Sequence, residues 1–556
     1  MRQRPVIYQI FTRLFGNTNS TRKVNGTLQE NGCGKMRDID TDTLKRIREM
    51  GITHIWYTGV IRHATATDYS AYGIPCQTPM VVKGKAGSPY AITDYYDIDP
   101  DLAVEVDQRM EEFLSLVKRT HEAGMKVIID FVPNHVAREY HSICKPETTK
   151  DLGEMDDTFF HFSTKNNFYY CWGQPLDVSQ LPQPEEGGAV YEENPAKATG
   201  NDHFDNRPGR NDWYETVKLN YGIDYCDAGG KSEHFDPIPD TWSKMTDILL
   251  FWASKGVDAF RCDMAEMVPA AFWTWATDKV KFAYPHIQFI GEVYDPAQYR
   301  AYIAAGFDLL YDKVGMYDCL RDVICQRRPT SAITWQWQSN DDILGHTLYF
   351  LENHDEQRIA SDFFASDARK AIPALAVCAW LHPNAVMVYA GQEFGERGMD
   401  EEGYSGKDGR TTIFDYWSVD TLLRGYYDRR RLKKEERALH GVYCKILRLA
   451  NEEPALREGT FYDLMYMNPQ LSDRQYVFLR KAGKKVVLIV ANFDEKEVDC
   501  EVVIPRHAFE FLQMTEGKRV VTDLLTDSKS TMMIKADGCH GVKVPGYGVV
   551  ALSFTV

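Results

Sequence analysis

The chain has 556 residues, of which 44% are hydrophobic and 26% charged, and a formal net charge of −16. That is globular composition, long enough for one large core plus accessory domains, and the acidic balance argues against nucleic acid or an anionic membrane as the main partner. No apolar run approaches the ~18 residues that a membrane span needs. The N-terminal MRQRPVIYQIF has no apolar stretch suited to a signal peptide. Twelve cysteines lie scattered from Cys33 to Cys539 without a CxxC pair. They read as free thiols in a reducing compartment rather than as disulfides, so the expected location is the cytoplasm.

In chain order, short apolar runs alternate with amphipathic helices. The predicted strands are 6–11 (VIYQIF), 53–60, 126–132, 257–263, 288–294, 307–313, 347–355 and 385–393. Near-continuous apolar strands indicate burial on both faces, as in a parallel sheet. Between them, Met110, Phe113, Leu114 and Val117 repeat at helical spacing in 106–124. Met245, Ile248, Leu249 and Trp252 do the same in 241–256, where Gly256 closes the helix. Eight strands in one regular series predict a (β/α)8 barrel, with a doubly wound sheet as the rival. Residues 136–236 are too long for a loop and read as an inserted domain B. A second, Gly- and charge-rich excursion covers 394–435. The barrel is assigned to 1–135 and 237–455. From 456 to 556 the segments are short and β-like, which predicts a C-terminal antiparallel β-sandwich.

The catalytic face of such a barrel is the C-terminal end of its strands. Strand three ends in Asp130, Asn134 and His135, strand four in Arg261 and Asp263, strand five in Glu292, strand seven in Asn353, His354 and Asp355, and strand eight in Gln392 and Glu393. Arg261 and Asp263, two apart, share one face of their strand. Burying such a pair seldom stabilises more than apolar packing would, so it calls for a purpose. Asp263, Glu292 and Asp355 would converge at one mouth, where mutual repulsion and burial raise carboxyl pKa values. That chemistry suits glycoside cleavage, which needs a carboxylic acid beside an ionised carboxylate. Arg261 would keep Asp263 ionised and aimed, and Asp130 reads as a structural partner of Arg261.

DFVPNH, AFRCD, IGEV and ENHD, in this order and on these strands, resemble the four signature regions of the α-amylase family, glycoside hydrolase family 13. IYQIFTRLF, PYAITDYYDID (89–99), YAGQE and PGYGVVAL agree, so the resemblance runs along essentially the whole chain. It implies Asp263 as nucleophile, Glu292 as general acid/base and Asp355 as transition-state stabiliser. It implies Arg261 beside the nucleophile, His135 and His354 holding the sugar, Tyr90 stacking under it, and Asp94 as Tyr90's companion in substrate binding. It implies a retaining mechanism, and the first functional reading is a glycosidase of α-1,4-linked glucan oligosaccharides, although the family's linkage preference does not carry over. It also makes Asn134 a candidate calcium ligand, although the chemistry itself requires no cofactor. Three departures stand out: Glu266 and Met267 replace the family's frequent Lys–His pair, VKLNYG (217–222) stands where a PDLN-like motif is common, and Ala259 replaces a glycine. A transglycosylase or isomerase of the same family is the second reading, and a non-catalytic sugar- or protein-binding relative the third.

Overall fold

The computed structural model describes residues 3–184 and 188–556. Residues 1–2 of the N-terminal stretch and residues 185–187 of the domain B loop PQPEEGG lie outside the described residues. The eight predicted strands form Val6–Phe11 (β1), His54–Thr58 (β2), Lys126–Phe131 (β3), Ala259–Cys262 (β4), Gln288–Gly291 (β5), Leu309–Tyr311 (β6), Thr347–Phe350 (β7) and Ala385–Tyr389 (β8). Each pairs in parallel with the next, and β8 closes on β1 with Val6 opposite Val386. All but β1 end earlier than their apolar runs predicted.

Strand periodicity divides each strand between two cores. Ile7, Trp56, Ile128, Ala259, Ile290, Leu309, Leu348 and Ala385 face inward and pack into one cluster inside the barrel. Their neighbours of opposite parity, among them Tyr8, Val127, Ile129, Phe260 and Phe289, join the larger core beneath the helices. Helix α1 (Arg109–Glu122) buries Phe113, Leu116 and Val117, while α2 (Asp240–Ser254) buries Met245, Ile248, Leu249 and Trp252. After α2 the chain must reverse into β4, and Gly256 does so at φ +90, a conformation that a side chain disfavours.

The insert after β3 carries only short antiparallel pairs: His135–Ala137 with Thr216–Lys218, Tyr170–Cys171 with Ala196–Lys197, and Ile223–Asp224 with Ser232–Glu233. The first pair ties the start of the insert to a strand in its last third. The C-terminal region is antiparallel throughout. It has a six-stranded sheet and a second, two-stranded sheet of Val498–Ile504 and Gly538–Val544. All twelve cysteines are free. Among the described residues no helix is long and apolar enough to cross a membrane.

Candidate active site

One register step above the apolar barrel layer, the inward positions turn polar. Asp130 stands opposite Arg261 in the β3–β4 pairing. The ladder then continues past the strand ends: Asp263 N donates to Phe131 O at 2.9 Å and Glu292 N to Cys262 O at 3.1 Å. Asp263 and Glu292 therefore keep the inward parity of Ala259, Arg261 and Ile290. Asp355 arrives differently. Asn353 Oδ1 accepts from the backbone N–H groups of Asp355 and Glu356, both at 2.9 Å, and so folds the turn that presents Asp355 after β7.

Arg261, 1% exposed, sits at the centre. Its Nη1 lies 2.8 Å from Asp263 Oδ1 and 3.5 Å from Asp130 Oδ1, and its Nη2 lies 2.8 Å from Glu292 Oε2. The contact to Glu292 is an ion pair without an aligned hydrogen bond. The guanidinium carbon stands 5.1 Å from the Trp56 ring centre, 5.4 Å from that of Tyr90 and 5.6 Å from that of Tyr311. Aromatic faces favour a cation, so they offset part of its desolvation. Asp130 Oδ2 accepts from Trp56 Nε1 at 3.1 Å and Gly59 N at 3.3 Å, which makes it the structural partner that its position on β3 suggested.

One guanidinium thus faces several carboxyl groups. Burial pushes Asp263 well above the usual carboxylate range; Arg261 opposes the shift, while Glu292 and Asp355 add to it. Asp355 keeps 38% of its side chain exposed. Even so, the protein atoms around its carboxyl, then the charge of Glu292, push it up to about 7. Burial also pushes Asp130 up to about 6, against the pull of Arg261. A site so short of positive charge holds protons near neutrality.

Glu292 is held at both oxygens. Oε2 accepts from Met264 N at 2.8 Å, and Oε1 accepts from the Tyr294 hydroxyl at 2.8 Å. Met264 adopts φ +43, a strained conformation for a non-glycine residue, and this aims its N–H at Glu292. Tyr294 is held in turn by Glu266, whose Oε2 accepts from the N–H groups of Tyr294 and Asp295 at 2.9 and 3.0 Å.

Tyr90 and His354 form a second wall. Their rings lie 5.3 Å apart, the Tyr90 hydroxyl meets His354 Nε2, and that nitrogen lies 3.1 Å from Asp355 Oδ2. The His135 ring lies 5.1 Å from that of Trp213. Burial holds His135 down to about 3 and His354 well below its ordinary value, so both are neutral near pH 7.

Two expected roles need correction. Asp94 is fully buried. Its Oδ1 accepts from Tyr96 N and Ser142 Oγ, and its Oδ2 from Arg62 Nη2, Ile143 N and Cys144 N. No lone pair remains for a sugar hydroxyl; Asp94 holds the loop that carries Tyr90. Asn134, the candidate calcium ligand, has its Oδ1 engaged by the Lys218 ammonium, while its Nδ2 donates to Gly200 O at 2.7 Å. A calcium ion takes 6–8 oxygens at ~2.3–2.6 Å, and it cannot share Asn134 Oδ1 with an ammonium. The residues present here do not fit the metal.

Tyr294, Tyr311, Trp56, Lys218 and the turn at Met264 were not singled out from sequence. Parity could have found two of them: Tyr294 follows Glu292 by two positions and Tyr311 follows inward-facing Leu309 by two.

A family model for the α-amylase catalytic domain matches residues 9–292, slightly more than half of the chain. The chain belongs to the α-amylase family. This α-amylase family member is a glycosidase. It is 23% identical over 484 residues to Alpha-amylase 3 of Dictyoglomus thermophilum, covering 82% of this chain and 78% of that one. Its fold is similar to that of the maltogenic alpha-amylase AmyB from Thermotoga neapolitana, with a TM-score of 0.64 at 20% identity, covering 99% of each chain. It is equally similar in fold to CldA, described as a cyclomaltodextrin glucanotransferase, with a TM-score of 0.64 at 17% identity and full coverage of both chains. At such identities these structures speak for the α-amylase fold alone.

Proposed function

We propose that this family member is a retaining glycosidase that cleaves α-1,4 bonds in maltodextrins, with Asp263 as nucleophile, Glu292 as acid/base and Asp355 as stabiliser. One observation carries the reading: Asp263 and Glu292 are bound, each at 2.8 Å, by the two terminal nitrogens of the same guanidinium. Two carboxyl groups on one planar fork favour the short separation of a retaining pair, ~5–5.5 Å, over the ~6.5–9.5 Å that leaves room for a water.

The hydrogen bonds assign the roles of individual atoms. Asp263 Oδ1 is held by Arg261, which leaves Oδ2 to attack the anomeric carbon. Glu292 Oε2 faces two groups that can only donate, Arg261 and Met264 N. The transferable proton therefore belongs on Oε1, where the Tyr294 oxygen can accept as well as donate. In the first step Asp263 Oδ2 bonds to the anomeric carbon as Glu292 protonates the departing glycosidic oxygen. In the second, Glu292 takes a proton from water, which attacks the same carbon and releases Asp263. Asp355, tied to neutral His354, meets the sugar hydroxyls as positive charge develops on the ring. The free thiols support a reducing compartment, hence the cytoplasm.

Maltoheptaose followed by proton NMR tests the stereochemistry: the first product should be the α-anomer, and an initial β-anomer rules out the double displacement. A slowly hydrolysed glycosyl fluoride should add a sugar mass to the peptide containing FRCDM, and a label at Asp355 instead would exchange nucleophile and stabiliser. Glu292→Gln should lower turnover by ~10²–10⁴. Glucose or maltose added as acceptor separates the two fates of the intermediate; longer products in place of shorter ones assign a transglycosylase.

A further inference from the structure

Three oxygens from three distant parts of the chain converge on one side-chain cation. Lys218 is buried at the end of the domain B strand Thr216–Lys218, directly opposite His135. Its Nζ donates to Asn134 Oδ1 just beyond β3, lies 2.6 Å from Asp202 Oδ1 in domain B, and reaches Met267 O at 3.3 Å in the turn after β4. The Tyr225 ring centre stands 5.7 Å away. An amide oxygen, a carboxylate and a backbone carbonyl are the donor types that a hard metal cation takes. Here an ammonium on a covalent tether has them.

We propose that the Lys218 ammonium is a built-in cation that replaces a structural metal ion, locking domain B to the turn that positions the acid/base. The ligand set fits: Asp202 is the one carboxylate that meets this Nζ, where a divalent ion would call for more anionic ligands. The reach toward the site is direct. In the turn after β4 the carbonyl of Ala265 accepts from Trp273 Nε1, those of Glu266 and Val268 accept from the Tyr302 hydroxyl, and that of Met267 accepts from Lys218. Four consecutive carbonyls are thus pinned, three by the barrel's own helices and one by domain B. The N–H of Met264, which leads into this turn, donates to Glu292. On the other side, Asn134 Nδ2 lies 3.0 Å from His135 Nδ1. Lys218 acts as a positioning residue for both the acid and the sugar-facing histidine, whichever acceptor the enzyme uses.

Elemental analysis and melting curves test this on the intact protein. The wild type should carry no stoichiometric calcium, and its melting temperature should be the same in EDTA and in millimolar calcium. Lys218→Ala leaves an oxygen-lined vacancy. The variant should lose kcat/KM by up to ~10²-fold, the cost of displacing a reacting group by about an ångström. It should also gain what the wild type lacks: a melting temperature that climbs with calcium, because a ligand of the native state alone stabilises it. Activity should return in part with calcium or methylammonium. Calcium bound one per chain in the wild type, or a melting temperature lowered by EDTA, overturns the proposal. A Lys218→Ala variant that calcium and methylammonium leave unchanged overturns it too, since a lysine that merely packs would behave that way. Should that variant not fold, Asp202→Ala decides on its own: a drop of several degrees is expected, and a wild-type melting temperature sinks the idea.

Discussion

At the scale of single residues, Arg261 makes bonds that a point charge cannot make together. Its two terminal nitrogens each hold a different carboxylate at 2.8 Å, while Nε points to the Tyr311 hydroxyl at 3.3 Å. Lysine offers one ammonium and no fork. Arg261→Lys should therefore keep the protein folded, with a small change in melting temperature, but release either Asp263 or Glu292 from its place. The expected result is a fall of about 10²-fold in kcat, comparable to other small misplacements of reacting groups, with KM changed far less. Wild-type kcat in this variant would mean that the guanidinium only balances charge. Asp94 teaches the converse at the same scale. An acid four residues beyond Tyr90 is spent on five hydrogen bonds from Arg62, Ser142 and three backbone N–H groups.

At the scale of an element, β7 shows how a strand end can carry two unlike acids. Glu352, two residues beyond Phe350, is buried. It pairs with Arg358 Nη1 at 2.9 Å and accepts from Ile359 N at 2.7 Å, which folds the chain back after the strand. Burial pushes its carboxyl up to about 7 in spite of Arg358. Its folded-state pKa thus lies above the unfolded value of 4.5. Between these values the native state binds more protons than the unfolded chain, so stability falls as pH rises. The contribution is full below about 4.5 and gone above about 7. Melting temperatures from pH 5 to 7.5 should decline more steeply in the wild type than in Glu352→Gln, which does not titrate. Parallel slopes would show that Glu352 does not drive the dependence. Asp355, three residues further, is also raised first by desolvation, and the charge of Glu292 adds to the shift.

At the scale of the whole molecule, a buried arginine with no carboxylate partner among the described residues joins the C-terminal sheet to the barrel. Arg480 lies on the strand Gln475–Ala482. Its Nη1 donates to the carbonyls of Trp380 and Leu381 at 2.8 and 2.9 Å, and its Nη2 to Gly459 O at 2.8 Å. The first two carbonyls end the helix Ile372–Trp380, where the helix dipole is negative and welcomes a cation. Burial holds Arg480 down to about 9. Arg480→Ala leaves three buried carbonyls without this donor and should cost roughly 3 kcal/mol or more of stability. The readout is a lower denaturant midpoint with kcat/KM unchanged at low temperature, because the joint lies on the far side of β8 from Asp263 and Glu292. A matching loss of kcat/KM under native conditions would tie the C-terminal sheet to catalysis instead.

The order of the eight strands, the inward parity of Arg261 and Asp263, the pairing of Arg261 with Asp130 and the placing of Glu292 and Asp355 at strand ends were all legible in the sequence. These features follow from short-range rules: side chains alternate along a strand, and strands in regular βα series close a barrel with their C-terminal ends on one side. Tertiary structure alone decided the rest. Lys218 meets Asn134 across 84 positions of chain. Arg62 meets Asp94 only because the segments Ile61–His63 and Ile92–Ile98 pair with register shifts. In both cases the residue type was visible while its partner was not, because a loop's path is set by packing and by the pairing of every buried polar group. Whether a buried oxygen holds a metal ion, an ammonium or a sugar hydroxyl depends on which donor that path delivers.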